Sequence, residues 1–137
     1  MIRGLDHIGI AVSDLDAAMK MWEQVAGATF DHEKTVLEQK VKIVMMRVGS
    51  LRVELLQPTS DDSPVAKSLA LRGEGIHHIA LRCDSAREEL DRAHKEGARL
   101  VDEIARPGAE RSDVGFVHPR SLAGVLLEFV GYADGEK

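Results

Sequence analysis

Two histidines and two glutamates recur along this chain in a pattern that could bind a metal ion. His7 stands third in the strand-like segment LDHIGIAV at 5–12, and His78 stands third in IHHIALRC at 76–83. Glu54 lies inside the apolar segment LRVELL at 51–56, and Glu128 lies inside VLLEFV at 125–130. The intervals from histidine to glutamate are similar, 54 − 7 = 47 and 128 − 78 = 50 residues. Two imidazoles with two carboxylates suit Zn²⁺, Mn²⁺, Co²⁺, Ni²⁺ or Fe²⁺ and are too rich in nitrogen for Ca²⁺.

The alternation of side chains along a strand tells which residues share a face with these candidates. His7 shares its face with the small residues Gly9 and Ala11, which leaves room beside the imidazole. A carboxylate among apolar strand residues, as at Glu54 and Glu128, is costly to bury unless a positive charge meets it. The alternative to a metal site is that each histidine donates a hydrogen bond to a backbone carbonyl, as a single strand histidine more often does, and that each glutamate is exposed. The agreement of all four positions across a repeat favours one metal bound by both copies.

The elements that must position these residues follow the same order twice, strand, helix and three strands. In the first copy the strand at 5–12 precedes a helix capped by Ser13, and strands follow at 35–37, 41–48 and 51–57. In the second copy the strand at 76–83 precedes a helix capped by Ser85 and Glu88. Strands follow near 99–104, 114–118 and 124–130. The pattern predicts an α+β fold of two βαβββ modules, with about eight strands and two principal helices.

Length and composition restrict the classes of protein further. The 137 residues, 44% hydrophobic and 30% charged, predict one globular domain at 1–137, with repeats at about 4–58 and 75–131 and a connector at 59–74. The net charge of −5 disfavours a nucleic-acid partner. The chain contains no apolar run of the roughly 18 residues that a membrane span requires, and Met1 leads directly into a strand. With Cys83 as the only cysteine, we expect a cytoplasmic protein in which this thiol is a buried apolar group.

Several other residues are weaker candidates for function. His118 precedes a proline at a strand end, where it could contact a ligand or simply occupy a turn. Glu38 lies near the start of a strand that could border the site. Three basic residues could bind an anionic ligand, although each is more often a surface charge: Lys67, Arg72 and Arg120.

These features resemble the vicinal oxygen chelate superfamily, also called the glyoxalase/bleomycin resistance/dioxygenase superfamily. Within it, the chain most resembles the methylmalonyl-CoA epimerase family over nearly its whole length. The DSPVAK segment at 62–67 and the RGEGIHHIA segment at 72–80 are the more specific to epimerases. The other similar segments are LDHIGIAV at 5–12, VELLQP at 53–58, FVHPRS at 116–121 and GVLLE at 124–128.

The resemblance implies an open, cup-shaped mixed sheet around a metal bound by His7, His78 and Glu128, with Glu54 where the family supplies a further ligand. It also implies a homodimer that acts on a small acyl-CoA. The implied reaction interconverts the (2R) and (2S) epimers of methylmalonyl-CoA by removal of the C2 proton through a metal-stabilised enolate. Glu128 is the first candidate base, and Glu54 could serve the other face. Ile43 stands where some epimerases carry a second glutamate base, so the second acid/base group is not assigned by the resemblance.

Three other functions, two enzymatic and one non-catalytic, are compatible with parts of this pattern. A glyoxalase I-type lactoylglutathione lyase would use the same ligand set on a glutathione hemithioacetal. A ring-cleaving dioxygenase needs two histidines and one glutamate around Fe²⁺ but generally has a longer chain. A non-catalytic drug-resistance protein of this superfamily often lacks the ligands. No glycine-rich nucleotide loop follows a strand, so the expected cofactor is one divalent metal ion and no nicotinamide or flavin.

Overall fold

The computed structural model describes residues 1–108 and 110–133. Eight strands and three α-helices occur in these residues. They form two compact units, one of residues 7–77 and one of residues 1–6, 78–108 and 110–133. We call them the first and second units, and the first strand, β1 (Ile2–Ala11), contributes residues to both.

The first unit contains the end of β1 and five further elements. These are α1 (Leu15–Ala26), β2 (Thr29–Val36), β3 (Val41–Val48), β4 (Leu51–Pro58) and α2 (Pro64–Arg72). The strands are hydrogen-bonded in the order β2-β3-β4-β1, with β1 parallel to β4 and the other pairs antiparallel. Glu54 therefore lies on a central strand, between β3 and β1.

The second unit repeats this arrangement. It contains most of β5 (Gly75–Cys83), then α3 (Ala86–Lys95), β6 (Arg106–Pro107), β7 (Ser112–Val117), a short 3-10 helix (Pro119–Leu122) and β8 (Leu127–Tyr132). The strand order is β5-β8-β7-β6, with β5 parallel to β8. Each unit thus has the predicted βαβββ order and a mixed sheet.

Packing of one helix on one sheet face determines which strand residues remain for a site. In the first unit, Leu15 of α1 packs in a cluster with Val53 and Leu55 of β4. In the second unit, Leu90 of α3 packs in a cluster with Phe129 of β8. Because successive strand residues point to opposite faces, Glu54 and Glu128 point away from the helices.

Four predictions about local structure were wrong. The strand predicted at 35–37 is β2, which begins earlier, at Thr29, and ends at Val36. Asp14, not Ser13, caps α1, and its carboxylate accepts a hydrogen bond from the backbone N–H of Ala17 at 3.1 Å. The strand predicted near 99–104 is irregular apart from one bridge at Leu100, and the last strand begins at Leu127 instead of 124. A third α-helix, α2, lies within the connector at 59–74. No helix among the described residues is both long and apolar enough to cross a membrane.

Candidate active site

The first unit brings His7 and Glu54 together on the sheet face opposite α1. His7 lies on β1, and its Nε2 atom is 3.5 Å from Oε1 of Glu54 on the neighbouring parallel strand β4. Both residues are buried. Gly9 lies directly across from Glu54, so no side chain fills the space next to the carboxylate on that side.

The second unit contains the equivalent pair with nearly the same geometry. Nε2 of His78 on β5 is 3.2 Å from Oε1 of Glu128 on the parallel strand β8. Only 4% of the surface of His78 and 8% of that of Glu128 is exposed. Ala80 lies directly across from Glu128, so here too the histidine is two residues before the partner of the glutamate.

Each pair has the chemistry of a metal ligand set. A buried carboxylate needs hydrogen bonds or a positive charge, and a divalent cation provides the charge. His7 and Glu54 in the first unit, and His78 and Glu128 in the second, are all buried, and each carries a nitrogen or oxygen atom of the kind that binds a metal ion. Imidazole nitrogen and carboxylate oxygen are the donors of Zn²⁺, Mn²⁺, Co²⁺ and Ni²⁺ sites, so the residues fit such an ion.

The face around the first pair also contains a buried arginine that was not among the predicted site residues. Arg52 precedes Glu54 by two residues on β4, so both point to the same face, and Arg52 is itself buried. The two-residue spacing from Glu54 along a strand places both side chains on one face, and the sequence alone contains that signal. Ile43 lies across from Leu56 in the β3–β4 pair and packs with Leu56 and Val65 in an apolar cluster. An isoleucine there provides no acid/base group.

The face around the second pair is mainly apolar. The ring of Phe116 on β7 contacts the imidazole of His78 edge to face, with centroids 5.6 Å apart and planes at 87°. Ala80, Val114, Val130 and Tyr132 form a small buried cluster on the same three strands. Apolar walls of this kind keep water away from a buried carboxylate and imidazole.

The weaker candidates lie elsewhere or have structural contacts. Nδ1 of His118 accepts a hydrogen bond from the backbone N–H of Arg120 at 3.0 Å and so caps the 3-10 helix. Glu38, Lys67, Arg72 and Arg120 are exposed. Cys83 is buried, and this burial raises the pKa of its thiol to about 11, so the thiol remains protonated and unreactive at neutral pH.

Comparison with known proteins defines the class to which this fold and these residues belong. Residues 6–116 match the model of the glyoxalase/bleomycin resistance protein/dioxygenase superfamily, and the chain belongs to that superfamily. The resemblance inferred from the sequence is therefore confirmed.

Its relatives within the superfamily include epimerases. The chain is 41% identical to the protein YqjC of Bacillus subtilis over 90% of this chain and 89% of that protein. It is 33% identical to the mitochondrial methylmalonyl-CoA epimerase of Homo sapiens over 90% of this chain and 71% of that protein. A solved methylmalonyl-CoA epimerase in complex with methylmalonyl-CoA and NH4+ is 34% identical, with a TM-score of 0.93 over 100% of this chain and 99% of that one. This match along the whole chain confirms the predicted fold class, and these epimerases are isomerases.

Proposed function

We propose that this chain is a methylmalonyl-CoA epimerase, which interconverts the (2R) and (2S) epimers of its substrate. The observation that carries the proposal is the pair of buried His–Glu contacts, one in each βαβββ unit, at 3.5 Å and 3.2 Å. Similarity to a solved epimerase that holds methylmalonyl-CoA supports an acyl-CoA substrate. The same similarity favours a CoA thioester over the glutathione hemithioacetal of a glyoxalase.

We further propose that one divalent metal ion binds through His7, Glu54, His78 and Glu128. Two imidazoles and two carboxylates balance the charge of such an ion, and each His–Glu pair already orients a nitrogen and an oxygen toward one another. When bound, the ion would stabilise negative charge on substrate oxygens as the C2 proton leaves. Cobalt is one candidate among Co²⁺, Mn²⁺, Zn²⁺ and Ni²⁺, since this donor set suits all four.

The proposed role of Glu128 is to remove the C2 proton from one face of the substrate. The C2–H bond breaks, its electron pair passes into the adjacent thioester carbonyl, and the proton moves to the Glu128 carboxylate. The apolar residues near Glu128, including Phe116 and Val130, exclude water and so strengthen its basicity. Epimerisation is completed when the enolate electron pair returns to C2 and forms a new C–H bond on the opposite face. We propose that Glu54, in its protonated carboxylic acid form, supplies that proton and becomes a carboxylate.

The proposed function is tested by following exchange of the C2 proton. Methylmalonyl-CoA is incubated with the protein in D₂O, and loss of the C2 proton signal is recorded by NMR. We expect rapid exchange with the metal-loaded protein, little exchange after chelation, and recovery when Co²⁺ is restored. Exchange that is absent from the metal-loaded protein would contradict the proposal. A parallel assay with the hemithioacetal of glutathione separates the glyoxalase reaction.

We also propose that the chain forms a homodimer, on the strength of its family resemblance. Sedimentation at micromolar concentration should give a species of twice the chain mass of 15.0 kDa. A single species of the chain mass under these conditions would contradict this proposal.

A further inference from the structure

The ring of Phe116 is directed at the proposed site and away from the packed helix. Gly115 precedes it, and a side chain at that position would collide with Leu90 of α3, so Gly115 faces the helix. Val117 follows it and packs in the cluster with Leu90. Phe116 therefore points to the opposite sheet face. There it lies directly across from Glu128 in the β7–β8 pair, and its ring contacts His78 at right angles.

The backbone of Phe116 is held on both sides by the segment at 101–102. Its N–H donates to Oδ2 of Asp102 at 2.9 Å. Its carbonyl oxygen accepts from the backbone N–H of Val101 at 2.9 Å and of Asp102 at 3.3 Å. These contacts bind the irregular segment after α3 to the strand that carries the ring.

The same aspartate also orients a cation over the ring. Oδ1 of Asp102 is 3.2 Å from Nε of Arg106, and the guanidinium carbon of Arg106 lies over the Phe116 ring at 5.8 Å from its centroid. The ring is thus bounded by Arg106 on one side and by the imidazole of His78 on another. A ring with so many fixed neighbours has little freedom to rotate away from His78.

We infer that Phe116 is a positioning residue, which sets the plane of the His78 imidazole for metal binding, and that Asp102 and Arg106 hold Phe116 for this purpose. The inference rests on the proposed function, because it assigns His78 as a metal ligand. A ligand imidazole must direct one nitrogen at the ion within a narrow angle, so a residue that fixes the ring plane affects affinity without touching the ion.

Cobalt binding tests this inference separately from catalysis. Apoprotein is titrated with Co²⁺ alone by calorimetry, and the visible absorption spectrum of the Co²⁺ protein is recorded. Phe116→Leu keeps an apolar side chain but removes the ring. We expect Co²⁺ affinity to fall by about 10-fold to 100-fold with a changed spectrum. Phe116→Tyr, which retains the ring, should restore both readouts to near the parental values.

Phe129→Leu is the matched control for loss of an aromatic ring. Phe129 is buried on the neighbouring strand β8 but packs in the α3 cluster on the other face. Its substitution should lower the Tm and leave the Co²⁺ affinity and spectrum unchanged. Asp102→Ala, a second variant that leaves the ring in place, should change affinity in the same direction as Phe116→Leu.

Three outcomes would overturn the inference. One is a Phe116→Leu protein that binds Co²⁺ with parental affinity and spectrum. Another is a Phe129→Leu protein that loses as much affinity, since the effect would then be general destabilisation. The third is a parent protein that binds no Co²⁺. The Co²⁺ measurements contain no substrate and so do not depend on catalysis. If the protein binds Co²⁺ but does not exchange the C2 proton, the epimerase function is contradicted and the role of Phe116 in metal binding is not.

Discussion

The hydroxyl of Tyr132 donates a hydrogen bond to the carboxylate of Asp6, with its oxygen 2.9 Å from Oδ1 and 3.0 Å from Oδ2. Both residues are buried. Asp6 immediately precedes His7 on β1, and Tyr132 is at the end of β8, the strand that carries Glu128. This contact fixes the part of β1 that belongs to the second unit against the final strand of that unit.

Substitution of Tyr132 by phenylalanine should lower stability. The Tyr132→Phe protein keeps the ring but removes a donor from a buried carboxylate, and the expected loss is about 1–3 kcal/mol in the free energy of unfolding. Urea denaturation measures it. An Asp6→Asn, Tyr132→Phe double-mutant cycle isolates the contact, and additive effects of the two substitutions would show that the hydrogen bond contributes little.

Removal of a proposed imidazole ligand should remove the metal. His7→Ala and His78→Ala proteins should each contain far less metal than the parent after dialysis. His94→Ala, at an exposed position of α3, is the control and should retain it. Full stoichiometry in either ligand variant would refute the four-ligand assignment. Chelation should also lower the Tm of the parent, since an ion that binds only the folded state adds about 2.7 kcal/mol when free ion is about 100 times its Kd.

Much of this geometry could be predicted from the sequence because strands and helices have fixed periods. The period of two placed Glu54 and Glu128 on the faces opposite the apolar residues that pack on α1 and α3. Local capping was harder, since Ser13 and Asp14 are adjacent and both are good N-cap residues, and the choice depends on backbone angles. The segment at 99–104 was wrongly predicted as a strand because its apolar residues suggested one. The contact from Asp102 to Phe116 that shapes it joins residues 14 positions apart.

Residues whose role depends on tertiary contacts could not be found in the sequence. The orientation of Phe116 toward His78 and the position of Arg106 over its ring depend on strand register in the second unit. In the sequence, Phe116 stands between a glycine and a valine, a pattern that is typical of an ordinary core position. The collision that excludes a side chain at Gly115 and the packing of Val117 against Leu90 show which way the ring between them must point.

The loop before α2 should contain an unusually acidic carboxyl group. The ammonium of Lys40 donates to Asp62, and with the hydroxyl of Ser60 it lowers the pKa of Asp62 from 3.8 to about 2. Since the folded-state pKa is the lower one, the pair contributes stability above the unfolded value near 3.8, and this contribution disappears as the pH falls toward 2. NMR titration of the Asp62 carboxyl carbon should show the low midpoint.

Lys40→Met tests the cause of that shift. The Asp62 pKa should rise toward its ordinary value in this variant, while Lys95→Met at the end of α3 should leave it unchanged. An unaltered Asp62 titration in Lys40→Met would mean that Ser60 and the backbone, not the ammonium, account for the shift.

The contrast between Glu128→Gln and Glu54→Gln shows which of the two carboxylates removes the C2 proton. An amide oxygen can still coordinate a metal but cannot accept a proton at neutral pH, so Glu128→Gln should retain some metal and lose C2 exchange by about 10²–10⁴-fold. Glu54→Gln should lose C2 exchange by no more than about tenfold, because Glu128 still removes the proton and the family resemblance tolerates glutamine at position 54. Its larger loss should be in epimerisation, which requires the proton donor on the opposite face. Metal content must be measured on the same samples, since an empty site would imitate a missing base. If Glu128→Gln with its metal bound exchanges the C2 proton near the parental rate, the base lies elsewhere, and Glu38 or a bound water becomes the candidate to test.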